Sequence, residues 1–514
     1  MINRFTLALR SLPRTAAAAL LAATLGACAG DVVDTTEDAE GAPNAGVPAS
    51  GDGVTGGDLA GGGSGANGGT DAGGGTGGDA SGGTGGGSGL VTGGAGFTLS
   101  LDAGATTLVE GEGDAEVRVS IARAPDYRAA VRLEAVDAGG DAHGFASSFA
   151  DAVLEGAESE TTLAVSLPIG PRPRLPGTRA LRVLATDAGG ARREAEIALP
   201  FTPTTRPDIY LLAGQSNMVG SSREGAREAA PGEPDEPVRR VRQLDVTAND
   251  RVRFPTPESF TDVSLIAPPD RRIVEALDPL HDTRDRGKDT KSGTTVGLGL
   301  SFAKAALADT TAEIVLVPTA WSDTGFCRRE SHLFPALMGW NATPQESPAL
   351  AGTLLFDRAI ARADLAIAET GGVLRGILWH QGEADSAERD CALAYDENLR
   401  EMVAAMRSRI AVDARGAAGR GPDAPIPFIA GTMSKGDDDR GPSLAPFGEI
   451  KSIVDGVHRN VASVVPHADV AIADDLQPPA YRCGQGFCIH FGAAALRELG
   501  TRYYERLREV LDRL

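Results

Sequence analysis

The chain has 514 residues, with 70 acidic and 49 basic side chains and a formal net charge of −21 at pH 7. Its length exceeds one ordinary core and predicts two or three domains. The absence of a basic stripe argues against a nucleic-acid partner. No spacing of His, Cys and Asp resembles a metal site, so no cofactor is predicted.

Residues 1–27 have a secretory signal pattern. Three arginines precede a short apolar run, TAAAALLAATLGA, which is too short to cross a bilayer as a helix. The run ends in LGAC, which resembles a bacterial lipoprotein processing box. We therefore predict that Cys28 carries a lipid and that the chain lies in the cell envelope, at the outer membrane or exposed on the surface; a plain secreted protein is the alternative.

Residues 28–95 are predicted to be a flexible, acidic linker. Between positions 29 and 95 the chain holds 26 of its 66 glycines, nine acidic residues and neither Lys nor Arg. Such a segment cannot bury enough apolar surface to offset the entropy lost on ordering.

Residues 96–205 alternate apolar and polar positions between turn-rich breaks. Six segments show this period of two: FTLSL, EVRVSIA, AVRLEAV, TTLAVSL, ALRVLAT and EAEIALPF. Short strands at this spacing predict a small all-β sandwich of immunoglobulin-like kind. No chemical motif accompanies them, so we interpret the region as an accessory domain.

From residue 206 to residue 514 the period changes. The apolar segments IYLLAG, EIVLVPTA, GILWHQG and IPFIAGT alternate with helical patterns over 297–308, 351–370, 392–410 and 447–464. This alternation predicts an α/β fold with a parallel sheet flanked by helices. The carboxyl ends of such strands meet at one edge, where polar residues converge.

Polar residues do follow these predicted strands. Ser216 follows the first, Gln381 follows the third, and His490 stands shortly before a long terminal helical pattern. A serine, a late histidine and polar donors fit nucleophilic acyl transfer, in which imidazole takes the hydroxyl proton and the donors stabilise an oxyanion.

Four stretches in order carry a family resemblance: GQSNM (214–218), residues 296–306, WHQGEAD (379–385) and IHF (489–491). Together they resemble the SGNH hydrolase superfamily, in particular its sialate O-acetylesterase and acetylxylan esterase branch, carbohydrate esterase family six. The resemblance spans about residues 206–514 and implies the SGNH-type parallel sheet.

The resemblance implies roles for individual positions. Ser216 matches the family nucleophile and His490 its general base. The implied oxyanion site combines the backbone N–H of Ser216, a backbone N–H of a second loop and the side-chain amide of Gln381. Gln215 and Asn217 flank the nucleophile and are further candidates for oxyanion or substrate contacts.

Two positions depart from the family pattern. The family usually has an aspartate three residues before the histidine, where this chain has Phe487. The second loop is usually glycine-rich, but residues 320–324 read AWSDT, which places Asp323 where a glycine N–H would face the oxyanion.

The sequence offers three replacements for the aspartate that would orient His490. Glu383 or Asp385, in the loop beside the nucleophile, is the first choice as the catalytic acid member. Asp474 or Asp475 is the second, and a bare Ser–His dyad is the third.

The cysteines other than Cys28 are even in number, which suits two disulfides in an exported chain. A bridge between Cys327 and Cys391 would join two walls of the site. A bridge between Cys483 and Cys488 would stiffen the loop before His490.

The sequence thus predicts an exported serine esterase that removes O-acetyl groups from a glycan. Its partners would be the acetylated glycan and, through the lipid on Cys28 only, a membrane. Two alternatives stay open: a non-catalytic glycan-binding or surface lipoprotein on a decayed hydrolase scaffold, and an esterase for a non-carbohydrate ester.

Overall fold

The computed structural model describes residues 96–139, 144–222, 233–245, 273–281, 295–328, 339–344, 347, 349–414, 421, 423–434, 448–476 and 489–514. The predicted signal peptide and linker lie outside the described residues, and so do Cys28, Phe487, Cys483 and Cys488.

The described part of 96–205 consists of strands. All six predicted segments are strands, and three short strands join them. The strands are β1 (Phe97–Asp102), β2 (Leu108–Val109), β3 (Ala115–Arg123), β4 (Val131–Asp137), β5 (Ala146–Phe149), β6 (Val153–Leu154), β7 (Glu160–Ser166), β8 (Gly177–Asp187) and β9 (Arg192–Thr202).

These strands form two sheets around one core. One sheet has the order β1-β3-β7-β5 and the other the order β2-β9-β8-β4-β6. The inward positions of each alternating strand are buried, for example Val119, Val165 and Val183, and they belong to a single apolar cluster. We call residues 96–205 the two-sheet region; its immunoglobulin-like topology stays a prediction.

The rest of the chain combines strands and helices, which confirms the α/β prediction. Its strands are β10 (Asp208–Gly214), β11 (Ser221–Ser222), β12 (Val241–Leu244), β13 (Ile273–Glu275), β14 (Thr295–Val296), β15 (Ile314–Pro318), β16 (Val373–His380), β17 (Phe428–Gly431) and β18 (Ala468–Ala471).

Its α-helices are α1 (Ser216–Val219), α2 (Gly299–Ala306), α3 (Leu354–Thr370), α4 (Arg389–Leu393), α5 (Tyr395–Arg409), α6 (Gly448–Arg459), α7 (Val461–Val464) and α8 (Ala493–Arg513). Two 3₁₀ turns lie at Leu307–Asp309 and Asp385–Ala387. Among the helices that the structure describes, none is long and apolar enough to span a membrane.

A seven-stranded sheet forms the centre of this region. Its order is β13-β12-β15-β10-β16-β17-β18, and every pair is parallel except β12 with β13. All residues of β10 are buried, as expected for a central parallel strand covered on both faces. One core cluster contains Leu211 and Trp379 and the other contains Leu212 and Leu378, so each face of the sheet has its own core.

The sequence did not predict β12, β13 and β18. Each has only three or four residues, and their sequences are VRQL, IVE and ADVA. Such segments are too short and too mixed for a period of two to be recognised. They form strands by pairing with a neighbour: β12 pairs with β15, β13 with β12, and β18 with β17.

A buried ion pair lies at the amino end of the central sheet, and its arginine also contacts the two-sheet region. Arg375 Nε donates to Asp208 Oδ1 at 2.6 Å, and both side chains are about 1% exposed. Asp208 Oδ2 accepts a second hydrogen bond from Thr310 Oγ1 at 2.6 Å. Arg375 Nη1 also donates to the carbonyl of Gly170 in the two-sheet region. The same guanidinium therefore contacts both regions.

Candidate active site

The candidate site begins where β10 ends. Gly214 has a φ of 128°, and a side chain there would place Cβ 2.1 Å from the carbonyl oxygen of His380 on β16. Only glycine allows this close approach of the two strands. The next residue, Gln215, donates its N–H to the same carbonyl at 2.8 Å, and Ser216 then starts α1.

The structure brings Ser216 and His490 together. The distance from His490 Nε2 to Ser216 Oγ is 2.9 Å, although the two residues are 274 positions apart. Ser216 is 7% exposed, and His490 is intermediate in exposure. A serine hydroxyl within hydrogen-bonding distance of an imidazole nitrogen is the arrangement that activates a nucleophile.

Asn217 connects α1 to the backbone on both sides of His490. Its Nδ2 donates to Ile489 O at 2.9 Å, and its Oδ1 accepts from Phe491 N at 3.1 Å. The same Nδ2 donates to Glu383 Oε1 at 2.5 Å. The side chain of Asn217 is therefore occupied by protein groups at the back of the site.

Glu383 lies beside Asn217 in the loop after β16. It is 6% exposed, and burial raises the pKa of its carboxyl group above the ordinary value. Its Oε1 lies 3.9 Å from His380 Nε2. Neither Glu383 Oε2 nor His380 Nε2 has a hydrogen-bond partner among the described residues. Among the described residues, Asn217 links Glu383 to the backbone beside His490. A catalytic role of Glu383 stays a prediction.

Gln381 is fully buried, and its amide is used inside the protein. Nε2 faces three acceptors: Asp385 Oδ2 at 2.7 Å, Thr324 O at 3.0 Å and Gln215 Oε1 at 3.1 Å. Oε1 accepts from the hydroxyl of Tyr395 at 2.9 Å. Since an amide nitrogen has two hydrogens, the predicted oxyanion contact would require one of these bonds to open.

Asp385 and Gln215 tie the surrounding loops together. Asp385 Oδ1 accepts from the backbone N–H groups of Phe326 at 3.0 Å and Cys327 at 2.9 Å. Gln215 Oε1 accepts from the N–H of Ala384 at 3.2 Å. Asp385 thus holds the loop after β15 against the loop after β16, and its predicted role at His490 stays a prediction.

Asp323 lies at the turn of the loop after β15. Its φ is 58°, in the left-handed region that favours glycine, and the residue is exposed. Aspartate is one of the few other residues that tolerate this conformation. The loop therefore keeps a backbone conformation that suits the glycine of the family pattern, with the Asp323 side chain at the surface.

This conformation predicts that two substitutions of Asp323 differ in stability. Asp323→Ala is expected to be less stable than Asp323→Gly by about 1–2 kcal/mol, because alanine meets the full steric penalty of the left-handed region. Urea denaturation of both variants measures the difference. Equal stabilities would mean that residue 323 leaves this conformation at little cost.

A disulfide joins Cys327 to Cys391, as the sequence predicted for this pair. Cys327 follows the loop after β15, and Cys391 lies in α4 beyond the loop after β16. The bridge therefore fastens the same two loops that Asp385 holds together. The second predicted pair, Cys483 with Cys488, lies outside the described residues.

The disulfide closes a separation of 64 residues. The double substitution Cys327→Ser with Cys391→Ser is expected to lower the free energy of unfolding by about 2–4 kcal/mol, because the unfolded chain regains freedom. Urea denaturation with and without reductant measures this loss. Reductant should destabilise the wild type more than the double variant, which keeps Cys483 and Cys488; an insensitive wild type would contradict the prediction.

Sequence reasoning missed the aromatic and histidine side chains behind the loops. Tyr395 OH bonds Gln381, and His458 Nε2 lies 3.0 Å from the same hydroxyl. Tyr503 OH lies 3.0 Å from His380 Nδ1 and donates to Trp379 O. These residues sit at apolar-period positions of helices or at a strand end, so their sequence pattern indicates only packing.

His380 and His458 are unsuited to act as the general base. Both are fully buried, and burial lowers the pKa of each imidazole to about 3. Both therefore stay neutral near pH 7. Within the described part of the chain, no group of three or more His, Cys, Asp and Glu is arranged to hold a metal ion.

Residues 206–509 match a family model described as carbohydrate esterase, sialic acid-specific acetylesterase. This match confirms the resemblance indicated by GQSNM and WHQGEAD. A probable carbohydrate esterase of Arabidopsis thaliana is 28% identical over 216 residues; the match covers 41% of this chain and 66% of the plant protein, just under two thirds of its length.

Two solved structures share low similarity with the chain. Domains 4 and 5 of the S-layer protein SbsC are 12% identical, over 21% of this chain and 51% of theirs, with a TM-score of 0.15. The periplasmic chaperone SfaE is 16% identical, over 22% of this chain and 65% of its own, with a TM-score of 0.17. Scores this low assign no fold.

Proposed function

Because the chain belongs to the carbohydrate esterase, sialic acid-specific acetylesterase family, we propose that it hydrolyses O-acetyl esters of carbohydrates, with Ser216 as nucleophile and His490 as general base. The observation that carries the proposal is the 2.9 Å contact between Ser216 Oγ and His490 Nε2 at the carboxyl edge of the central sheet. Open parallel sheets bind their ligands at this edge.

The first half of the reaction transfers the acetyl group to the enzyme. Ser216 Oγ bonds to the acetyl carbonyl carbon while its proton passes to His490 Nε2, and the carbonyl oxygen becomes an oxyanion. The bond from this carbon to the sugar oxygen then breaks. The sugar oxygen takes the proton from His490 and leaves as a hydroxyl, and Ser216 is acetylated.

The second half returns the enzyme to its starting state. A water molecule gives a proton to His490 Nε2 as its oxygen bonds to the acetyl carbon. The bond to Ser216 Oγ breaks, Oγ recovers the proton, and acetic acid leaves and ionises to acetate. For Nε2 to accept a proton in either half, the proton of the neutral imidazole must be on Nδ1.

Backbone N–H groups are the proposed oxyanion donors. Ser216 is the first residue of α1, and the N–H of the first residue of a helix has no acceptor within the helix. The positive φ of Asp323 supports the backbone N–H of this loop as a second donor, because the loop keeps a glycine-like conformation. Such donors stabilise charge that develops only in the transition state. The amide of Gln381 would join them only after releasing a present partner.

Acetate release tests the proposal. The enzyme is offered acetylated xylan, an O-acetylated sialoside, a lipid ester and, as a matched control, an oligosaccharide that carries only N-acetyl groups. We expect acetate from at least one O-acetylated substrate and none from the N-acetyl control. Hydrolysis of a lipid ester alone would favour the non-carbohydrate alternative, and no hydrolysis of any ester would favour the binding protein.

The proposal extends to the location of the enzyme. An export signal over 1–27, a lipid on Cys28 and a flexible linker to residue 95 would hold the enzyme at the cell envelope while it reaches a polymer outside the cell. Loss of lipid labelling in Cys28→Ser would support the anchor; equal labelling would contradict it.

We propose that the two-sheet region is an immunoglobulin-like accessory domain.

A further inference from the structure

Asn217 forms hydrogen bonds with the two residues that precede and follow His490 in the chain. Ile489 O and Phe491 N–H flank the histidine, and one carboxamide binds both, at 2.9 and 3.1 Å. Asn217 is 1% exposed and adjoins Ser216 in α1. The backbone of His490 is therefore fixed to the residue next to Ser216, although most of residues 206–514 separates them in sequence.

We propose that Asn217 is a positioning residue whose carboxamide sets the distance between His490 Nε2 and Ser216 Oγ, and that Glu383 fixes the direction of this carboxamide. The proposal rests on the proposed function, in which His490 is the general base. It assigns Asn217 a different task from the oxyanion or substrate contact that the sequence predicts.

The partners of the carboxamide are compatible with one orientation. Nδ2 faces two acceptors, Ile489 O and Glu383 Oε1, and Oδ1 faces one donor, the N–H of Phe491. In the flipped orientation, Oδ1 would face the two acceptors and Nδ2 would face the donor, so all three hydrogen bonds would be lost. Glu383 is the partner that comes from another loop, and it therefore secures the orientation independently of the histidine segment.

Glu383 acts on His490 indirectly in this arrangement. Its Oε1 accepts from Asn217 Nδ2 at 2.5 Å, and the neutral carbonyl oxygen of an amide can also accept this hydrogen bond. Glutamine at position 383 would therefore keep the contact, and alanine would remove it. A residue that acts through its negative charge would lose its effect in both variants.

The experiment compares Asn217→Ala, Glu383→Ala and Glu383→Gln with the wild type. It measures kcat and KM for 4-nitrophenyl acetate, the rate at which a fluorophosphonate probe labels Ser216, and the melting temperature. Since a misplacement of 1 Å costs about 100-fold in rate, Asn217→Ala should lower kcat and the labelling rate by about that factor. KM should change by less than about threefold, because uniform binding is untouched.

The two substitutions of Glu383 give the second readout. Glu383→Ala should lower kcat and the labelling rate by about tenfold, part of the loss expected for full misplacement, and Glu383→Gln should recover most of it. Labelling of Asn217→Ala at the wild-type rate would overturn the proposal. An equal loss in Glu383→Gln and Glu383→Ala would also overturn it, and this pair decides alone if Asn217→Ala does not fold.

The labelling rate separates this proposal from the proposed function. If the wild type releases no acetate from any glycan but its Ser216 is labelled, the substrate assignment fails while the labelling rates of the variants still test Asn217. If Ser216 of the wild type is not labelled and no ester is hydrolysed, the general-base role of His490 fails and the positioning role fails with it.

Discussion

Ser216→Ala is expected to lower kcat/KM for ester hydrolysis by about 10⁴-fold or more, as removal of the nucleophile does in serine hydrolases. The reason is geometric: Ser216 Oγ is the hydroxyl that the structure places 2.9 Å from His490 Nε2. Initial rates with 4-nitrophenyl acetate measure the loss.

Ser408→Ala provides the matched control for this variant. Ser408 is an exposed serine of α5 whose hydroxyl bonds the carbonyl of Ala404. Its replacement should leave kcat/KM unchanged, and both variants should keep the wild-type melting temperature. Equal hydrolysis by the wild type and Ser216→Ala would exclude the serine-esterase mechanism and favour the non-catalytic alternative.

Arg375→Ala should have the largest effect on stability. We expect the free energy of unfolding to fall by about 3–5 kcal/mol, the range measured when one partner of a buried ion pair is removed. Asp208 would be left as a buried carboxylate with Thr310 as its described partner, and the carbonyl of Gly170 would lose its guanidinium donor. Urea denaturation followed by tryptophan fluorescence measures the change.

Tryptophan fluorescence is suited to this test because all three tryptophans are buried and lie between residues 206 and 514. They are Trp321, Trp340 and Trp379. Arg400→Ala is the control, since Arg400 pairs with Glu397 on the exposed side of α5. Its loss should cost about 0–1 kcal/mol, as for surface ion pairs in general. A similarly small loss in Arg375→Ala would show that the pair contributes little to stability.

The repeating patterns of the sequence predict much of the fold. The alternating strands β3 and β8, the continuous apolar run of β10 and the helical patterns of α3 and α5 depend on local hydrophobic spacing that the sequence shows directly. Strand β18 could not be predicted, because its four residues become a strand only by pairing with β17.

The candidate site divides in the same way. Ser216 and His490 were predictable because each stands in a short motif. The contact of Asn217 with Phe491 was not, since it joins positions 274 residues apart through one amide. Tyr395 and His458 lie in helices whose apolar spacing describes packing, and their hydrogen bonds with each other and with Gln381 form only when α5, α6 and the loop after β16 meet in the fold. Sequence patterns report neighbours along the chain, and these contacts depend on tertiary proximity.

Helix α8 links two distant features of the molecule. It starts three residues after His490, and near its other end Asp512 forms an ion pair with Arg172 of the two-sheet region. A helix of 21 residues is about 30 Å long, so the two-sheet region attaches far from Ser216. The two-sheet region is thus a place where a label, a surface tether or another domain can be fused at a distance from Ser216.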